Sequence, residues 1–564
     1  MANIAVLDFE AQSASTSTGK IISVTGILYN DQFQELDRFE LFCRNVPGYI
    51  PDPYSLWVNK GLKKLKESNM SHMQLMLEMH KKINQWSPCI WATWNGHGYD
   101  YPLVEKENYR SLLPIYILKT NRNEAADFLP FARAAKLFYP KSLLTSYSKS
   151  NNPVFRLEDL GMKNFPETDK SKFHTATQDV EVTAKVMQKI KESARPIFES
   201  SLITISKKKA KDEILKNKLF TTALYYFGKS RPFACTYLFD HPKYTWPMVY
   251  CLETDPKDLM SLDYKSLKEK MKKPGKFIRA IPLKHPVILH IDYALKAEPF
   301  RTIGIEELKE RAELIKNNPE FGEKCKKAIE EIAEERELKN KSKEDEKIAN
   351  DPHNQLYSGG FLDNNSPDND IIKKFHTIEW DKRYEQVLKI KDPRFKYFGE
   401  RLIYQNEPEA LPREVYKRIH ADTAQRVLRL EEKNFTTIPM AEHLIDTIRA
   451  EKDISKEKLE YMNEVDAMIK EMRIFYETPI RHQITNDRGD IMKTLRDEIS
   501  KLENELDSYD MEQLAPHHKE LPEEIEKKYS ELQDKREQLK ILEAKEIRRK
   551  ISDNKNLINK KDTA

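Results

Sequence analysis

Five residues in the first third of the chain have types and spacings that can do chemistry. Asp8 and Glu10 stand two apart at the end of an apolar, β-branched run that begins at Ile4. Strand side chains alternate between faces, so both carboxylates leave on the same side and can share a hard divalent cation. Taken alone, such a pair is more often a solvated strand edge. Asp100 closes the segment Trp94-Asn95-Gly96-His97-Gly98-Tyr99, where an apolar strand stops, glycines permit a tight turn and an acid stands at the entry to the next helix. Its plain alternative is a helix N-cap. His174 and Asp179 form the third piece. Five residues of helix rotate a side chain by about 140°, so this pair converges only if His174 precedes the helix. Asp179 then falls in or near the first turn, with Thr175 or Thr177 as cap.

These groups need elements to carry them. Ile4 to Leu7, Ile21 to Leu28 and Phe33 to Phe42 read as a strand meander, the last two runs separated by the turn Asn30-Asp31. Met70 to Trp86 shows helical spacing of Met73, Leu77, His80 and Ile83, and Cys89 to Trp94 reads as a buried strand entering a helix near Tyr101. Ala125 to Phe138 and Thr177 to Lys191 read as further helices. Strands first, then helices alternating with strand, predict an α/β layered domain. From Lys207 to about Pro352, short β-rich pieces (Trp246 to Leu252, Phe277 to Pro282, Pro286 to Ile291) alternate with basic helical ones and predict a small β-containing domain. Glu306 to Lys347 reads as a charged surface helix, and from Ile371 the chain is helical in character. Leu495, Ile499, Leu502 and Leu506 form one apolar seam, and Ile525, Tyr529, Leu532 and Leu539 form another beyond Pro516. An antiparallel helical hairpin and a single dimerising coiled coil both fit these seams.

The 564-residue chain is too long for one core. Its 39% hydrophobic and 33% charged residues suit large solvated helical surfaces and exclude a disordered polymer. No apolar run approaches the roughly 20 residues of a membrane-spanning helix. The start, MANIAVLDFE, lacks the marks of a secretory signal. Cys43, Cys89, Cys235, Cys251 and Cys325 never form a CxxC pair, which argues against a disulfide framework or a thiolate zinc site, and a reducing, cytoplasmic location is expected. With 95 basic against 91 acidic side chains the net charge is only +4, so any basic surface must arise from local arrangement.

The ordered combination carries more than its parts: D-x-E on the first strand, N-x-x-x-x-D after a later strand, H-x-x-x-x-D opening a helix. In this order the motifs resemble those of the DEDD superfamily of 3′ exonucleases, in the subclass whose general base is histidine (DEDDh). That resemblance implies a ribonuclease-H-like fold over about residues 1 to 195. A longer resemblance, to bacterial exonuclease I, is carried by Phe155-Arg156-Leu157-Glu158-Asp159-Leu160, by Arg133, and by Gln355-Leu356-Tyr357-Ser358-Gly359-Gly360-Phe361. It implies an exonuclease domain over 1–196, an SH3-like β-domain with inserted helices over 197–352, and a helical domain over 353–490 that closes a channel over single-stranded DNA. A helical hairpin or coiled-coil extension over 491–564 follows, with no counterpart in that family. Two positions depart from the family pattern: Ala11 stands where threonine is usual, and Tyr54 to Gly61 lacks a Thr-Gly step. Both neighbour the terminal nucleotide in that family.

The mechanism implied is 3′-5′ hydrolysis of single-stranded DNA to mononucleotides, in repair or recombination, with single-stranded DNA-binding protein as a further partner. Carboxylate oxygens suit Mg²⁺ or Mn²⁺, and two such ions about 4 Å apart can clamp the attacking and leaving oxygens of an in-line displacement on phosphorus. Asp8, Glu10 and Asp179 are assigned to the tighter ion, Asp8 also to the second, and Asp100 to the second through water. His174, the one group with an unperturbed pKa of about 6.5, is the base for the attacking water. For binding the strand, Arg133, Tyr357 and Phe361 are the leading candidates, with Ala11 beside the terminal nucleotide. Lys207, Lys208, Lys209 and Lys211, the run Lys268 to Arg279, and Tyr225, Tyr226 and Trp246 are weaker, because lysine runs are usually solvated faces and patterned aromatics usually core. Two rival readings share these residues: an exoribonuclease using the same chemistry, and a catalytically idle nucleic-acid-binding scaffold that works, or dimerises, through its C-terminal extension.

Overall fold

Ile4–Ala11 forms strand β1 of the computed structural model, and its alternation sets the architecture around it. Ile4 and Val6 enter one core, while Ala5, Leu7 and Phe9 enter another on the opposite face. The structure describes residues 3–167, 176–244, 246–273, 277–339, 350–363, 365–430, 432, 434–478, 495–506, 527–528, 530–536 and 539–540. The chain divides into two compact units, Met1–Met472 and Arg473–Ala564.

In the first unit β1 pairs antiparallel with β2 (Ile21–Tyr29), which pairs antiparallel with β3 (Glu35–Phe42). The short helices α1 (Pro53–Asn59) and α2 (Leu62–Glu67) follow, then α3 (His72–Trp86). Ser71 and Gln74 start α3 with a reciprocal capping box, satisfying two backbone donors that the first turn leaves open. Met76, Met79 and Ile83 of α3 pack on the Ala5 and Leu7 face. Strand β4 (Ile90–Thr93) lies parallel to β1, helix α4 (Asp100–Arg110) follows, and β5 (Glu124–Asp127) lies parallel to β4. The sheet order is therefore β3-β2-β1-β4-β5. Helix α5 (Leu129–Phe138) comes next, then the small pair β6 (Ser146–Tyr147) and β7 (Pro153–Val154), α6 (Leu157–Asn164), α7 (Ala176–Ser193) and α8 (Arg195–Thr204). Val180, Val182, Val186 and Ile190 of α7 cover the Ile4 and Val6 face. The expected helix Ala125 to Phe138 is thus shorter at its start. Alanines favour helix, but here their backbones complete a parallel ladder with Trp91 and Ala92, and the helix begins only with Pro in its first turn.

A second, antiparallel sheet is built from β8 (Phe220–Tyr226), β9 (Lys229–Asp240), β10 (Pro247–Cys251), β11 (Ile278–Ala280) and β12 (Ile288–His290), in the order β11-β10-β9-β8-β12. The expected β-rich pieces fall on β10, β11 and β12. The longest strand, β9, carries Pro232 and was not anticipated. Glu306 to Lys347, expected as a surface helix, is two helices in its described part, Ile305–Lys316 and Pro319–Lys339. Their Leu308, Ile315, Phe321 and Cys325 share a core with Met248 and Tyr250, so one face of this charged stretch is buried; residues 340–349 lie outside the described residues. The helices Pro393–Asn406 and Arg413–Val427 build a further core from Phe398, Leu402, Ile403 and Ile419, which takes in Tyr109 of α4 and Met73 of α3.

In the second unit, described residues within 495–506 and 527–536 are helical. Ile499, Leu506 and Leu532 share a small core with Leu502 and Leu539, and Lys528 pairs with Glu505 at 3.3 Å while Lys535 pairs with Glu498 at 2.9 Å. These two ion pairs run in opposite chain directions. Pro516, Ile525 and Tyr529 of the expected seams lie outside the described residues. Among the described residues no helix is long and apolar enough to cross a membrane.

Candidate active site

Asp8 and Glu10 continue the face of β1 that begins with Ile4 and Val6, the face that α7 covers. The same helix therefore brings its first-turn acid, Asp179, to the strand end. Opposite Asp8 in register stands Thr25, and its hydroxyl lies 3.3 Å from that of Thr177, which fixes the start of α7 against β2. Ligand oxygens of Asp8, Glu10 and Asp179 all lie within 4.8 Å of one another. Oxygen donors gathered this closely suit a hard divalent ion.

Asp100 is the first residue of α4 and is 5% exposed. It is not the N-cap: Tyr99 holds that position and makes no side-chain capping bond. The loop before it is fixed by a residue that sequence reasoning missed. Asp127, at the end of β5, accepts the amide hydrogens of Asn95 at 2.9 Å, His97 at 3.2 Å and Leu129 at 3.1 Å. Within that loop Asn95 has φ 65°, and a side chain on Gly96 would overlap the Thr93 hydroxyl, so only glycine fits. The Asp127 amide in turn donates to His285 Nδ1 at 3.0 Å, and His285 Nε2 donates to the Ser201 carbonyl at 2.8 Å. Burial lowers the His285 imidazole to about 4, and this neutral tautomer satisfies both partners. A loop between β11 and β12 thereby buttresses the loop that delivers Asp100. An aspartate just before a Leu-Pro helix start looks like an ordinary cap, which is why neither Asp127 nor His285 stood out. The Tyr99 hydroxyl donates to the Ser13 carbonyl at 3.1 Å and holds the other side of the loop.

The acids repel one another at this half-buried strand end. Burial raises Asp8 to about 7. Glu10 is pushed well above the usual carboxylate range by burial and then by Asp8 and Asp179, with Lys64 opposing. Burial, Asp8 and Asp127 do the same to Asp100. Lys64, on α2, donates to Ser23 Oγ at 3.4 Å, and Ser23 is the register partner of Glu10. Among the described residues, Lys64 is the cation that opposes the shift of Glu10, and a divalent cation would supply further positive charge to the acids gathered here. The donor set and its electrostatics both fit such an ion.

The other candidates are scattered around this centre. His174 and Thr175 lie outside the described residues. The Arg133 guanidinium lies 3.7 Å from the centre of the Tyr225 ring, beside a cleft of about 300 Å³ that Asn152, Phe155 and Arg156 also line. The Tyr357 hydroxyl donates to Glu105 at 2.6 Å, and Phe361 is 83% exposed. Ala11 is buried at a bulge in β1, where its carbonyl accepts the Asn59 amide at 3.0 Å. Of the basic runs, Lys211 pairs with Asp240, and Lys268 and Lys272 pair with Glu335, so these three serve as ties between elements. Trp246 stacks on Tyr244 with ring centres 5.0 Å apart.

No protein-family model matches the chain. It is 22% identical over 313 residues to Exodeoxyribonuclease I of Haemophilus influenzae, a match covering 53% of this chain and 64% of that relative. It is 25% identical over 235 residues to Exodeoxyribonuclease I of Buchnera aphidicola subsp. Schizaphis graminum, covering 41% and 48%. The chain thus spans less than two thirds of the length of either relative. Among solved structures, a moderately thermophilic Exonuclease I from Methylocaldum szegediense matches with a TM-score of 0.70 at 19% identity, over 84% of this chain and 100% of that one. The chain has the exonuclease I fold. E. coli Exonuclease I in complex with a dA16 oligonucleotide matches with a TM-score of 0.67 at 17% identity, over 84% and 100%. An ExoI/SSB-Ct complex matches with a TM-score of 0.67 at 16% identity, over 84% and 99%. The resemblance to bacterial exonuclease I read from the motifs is borne out. The exonuclease I fold also accounts for a mixed parallel and antiparallel sheet, a wholly antiparallel sheet and a set of helices occurring together in one chain.

Proposed function

We propose that this chain is a 3′-5′ exodeoxyribonuclease that hydrolyses single-stranded DNA to mononucleotides. The observation that carries the reading is the convergence of Asp8, Glu10 and Asp179, from a strand and a distant helix, to within 4.8 Å. Asp8, Glu10 and Asp179 would hold one Mg²⁺ or Mn²⁺, and Asp8 a second with Asp100 acting through water. Bound there, such ions polarise the phosphodiester and lower the pKa of water. The protein's own part is to orient the strand end and move protons. His174 takes the proton of the attacking water, and Asp127 keeps the Asp100 loop in place. Arg133 offers a guanidinium to the phosphate backbone, and Phe361 an exposed ring to the bases.

The names of the relatives and the oligonucleotide complex support DNA over RNA as the substrate. The peptide complex supports the C-terminal tail of a single-stranded DNA-binding protein as a partner. The division into a nuclease domain over 1–196, an SH3-like domain over 197–352, a helical domain over 353–490 and a helical hairpin over 491–564 belongs to the same reading. The opposed ion pairs of Lys528 and Lys535 support the hairpin over a single long coil. A cytoplasmic location and a role in DNA repair or recombination belong to the same reading. The test is digestion of 5′-labelled single-stranded DNA, duplex DNA and RNA, each with Mg²⁺ or EDTA. A ladder shortening from the 3′ end of single-stranded DNA, with Mg²⁺ only, is the expected result, and degradation of RNA alone would replace the reading by its ribonuclease rival.

A further inference from the structure

The antiparallel sheet holds a pair of cysteines that no nuclease chemistry uses. Cys235 on β9 and Cys251 on β10 are direct cross-strand partners, both fully buried, with their sulfurs 3.8 Å apart. The Leu252 amide bonds to the Ala234 carbonyl at 2.9 Å, whereas the Cys251 amide turns away to Phe277 on the β11 side at 2.7 Å. The cysteines therefore occupy a non-hydrogen-bonded pair site of the ladder. Such sites bring α-carbons to about 4.5 Å, within the range that a disulfide spans. Closing a disulfide here brings the sulfurs from 3.8 Å to about 2.05 Å.

One of the two sulfurs is singled out. Arg279 on β11 donates from Nε to Cys251 Sγ at 3.2 Å, and its guanidinium is held over the Phe233 ring at 4.1 Å. Arg279 is half-buried, so it links this sulfur to the sheet surface. The hydrogen bond from Cys235 and the charge of Arg279 lower the Cys251 thiol, while burial pushes Cys43, Cys89 and Cys325 up to about 12. Burial opposes that lowering, so it is the geometry that marks the pair: two sulfurs in contact across the ladder, one of them hydrogen-bonded to a guanidinium.

We propose that Cys235 and Cys251 are a peroxide-reactive dithiol that closes into a cross-strand disulfide, with Cys251 as the attacking sulfur and Arg279 as its activating neighbour. The oxidant is hydrogen peroxide. The Cys251 thiolate attacks one oxygen, the O–O bond breaks, and hydroxide leaves with the proton that Cys251 gave up, leaving a sulfenic acid and one water. Cys235 then attacks that sulfur, the S–O bond breaks, and the departing hydroxide takes the Cys235 proton as a second water. Two thiols and one peroxide become one disulfide and two waters.

The experiment treats the full-length protein with increasing hydrogen peroxide, blocks remaining thiols with iodoacetamide, and maps peptides by mass spectrometry without reduction. The expected result is a linked Cys235–Cys251 peptide pair, lighter by two hydrogens and reversed by dithiothreitol, forming about tenfold faster than oxidation of Cys43, Cys89 or Cys325. Arg279→Met should slow the linkage severalfold, and Cys235→Ser should leave Cys251 as a sulfenic acid trapped by dimedone. Wild-type protein that keeps both thiols alkylatable while the other three cysteines oxidise would overturn the proposal, and so would linkage at an unchanged rate in Arg279→Met for the activating role of that arginine. The wild-type map decides the matter even if a cysteine variant does not fold.

Discussion

The hydroxyls of Thr25 and Thr177 lie 3.3 Å apart, one opposite Asp8 in the sheet and the other two residues before Asp179. This contact fixes the start of α7 against the part of the sheet that carries the two strand acids. Thr177→Val keeps the shape and removes the hydrogen bond, a loss of about 1 kcal/mol. We expect divalent-ion affinity to fall by about fivefold, read by calorimetric titration with Mn²⁺, while the melting temperature moves by only a few degrees. Unchanged affinity would mean that apolar packing alone holds the helix.

Asp8 is common to both proposed ion sites, so Asp8→Asn should abolish cleavage while binding of single-stranded DNA, measured by fluorescence anisotropy, survives. The same change removes one of four mutually repelling acids. The cation-free variant should therefore melt at a higher temperature than the cation-free wild type, and a lower one would show that Asp8 is held by partners rather than crowded by like charges.

The raised carboxyls also fix a pH dependence. Asp8 lies at about 7 against an ordinary value of 3.8, so the native cation-free protein keeps a proton that the unfolded chain releases between these values. Its contribution to stability is present below about pH 4 and is lost as the pH rises through about 7. Glu10 and Asp100 are shifted in the same direction. Mg²⁺ should accordingly raise the melting temperature more at about pH 8 than at about pH 5, because at the lower pH it must displace protons. An equal increase at both values would contradict this electrostatic account.

Asp127 accepts three amide hydrogens and touches no expected ion. Asparagine there turns a donor toward at least one of those amides. Asp127→Asn should cost roughly 2 kcal/mol of stability and lower kcat with little change in KM for the strand, since the Asp100 loop shifts while DNA contacts remain. Steady-state kinetics with a fluorescent oligonucleotide separates the two parameters, and a rise in KM alone would place Asp127 in DNA binding instead.

Part of this site is legible in the sequence. Asp8 and Glu10 are, because a two-residue spacing on a β-branched run dictates a shared face whatever the fold. Asp179 is, because it falls in the first turn of the helix expected there. That helix begins at Ala176, so Thr177 lies inside it rather than capping it, and Thr175 lies outside the described residues. Asp127 is not: its role depends on which loop it meets, and an aspartate before a helix is normally spent on a cap. The same limit hid His285, which arrives from a separate sheet. Alanine's local preference predicts helix over β5, and the parallel ladder with β4 overrides it. Strand β9 was missed because Pro232 breaks the strand pattern. The Cys235–Cys251 pairing is invisible in sequence, since spacing does not give register across a bulged ladder.

The most direct test of the central claim is the binding of Mn²⁺ to the DNA-free protein, followed by electron paramagnetic resonance and compared with cleavage of 5′-labelled single-stranded DNA. The account predicts saturable binding in the wild type, loss of the tight component in Asp8→Asn, Glu10→Gln and Asp179→Asn, and loss of 3′-end trimming in step with it. Tight Mn²⁺ binding that survives all three substitutions, or trimming that continues in EDTA, would contradict it.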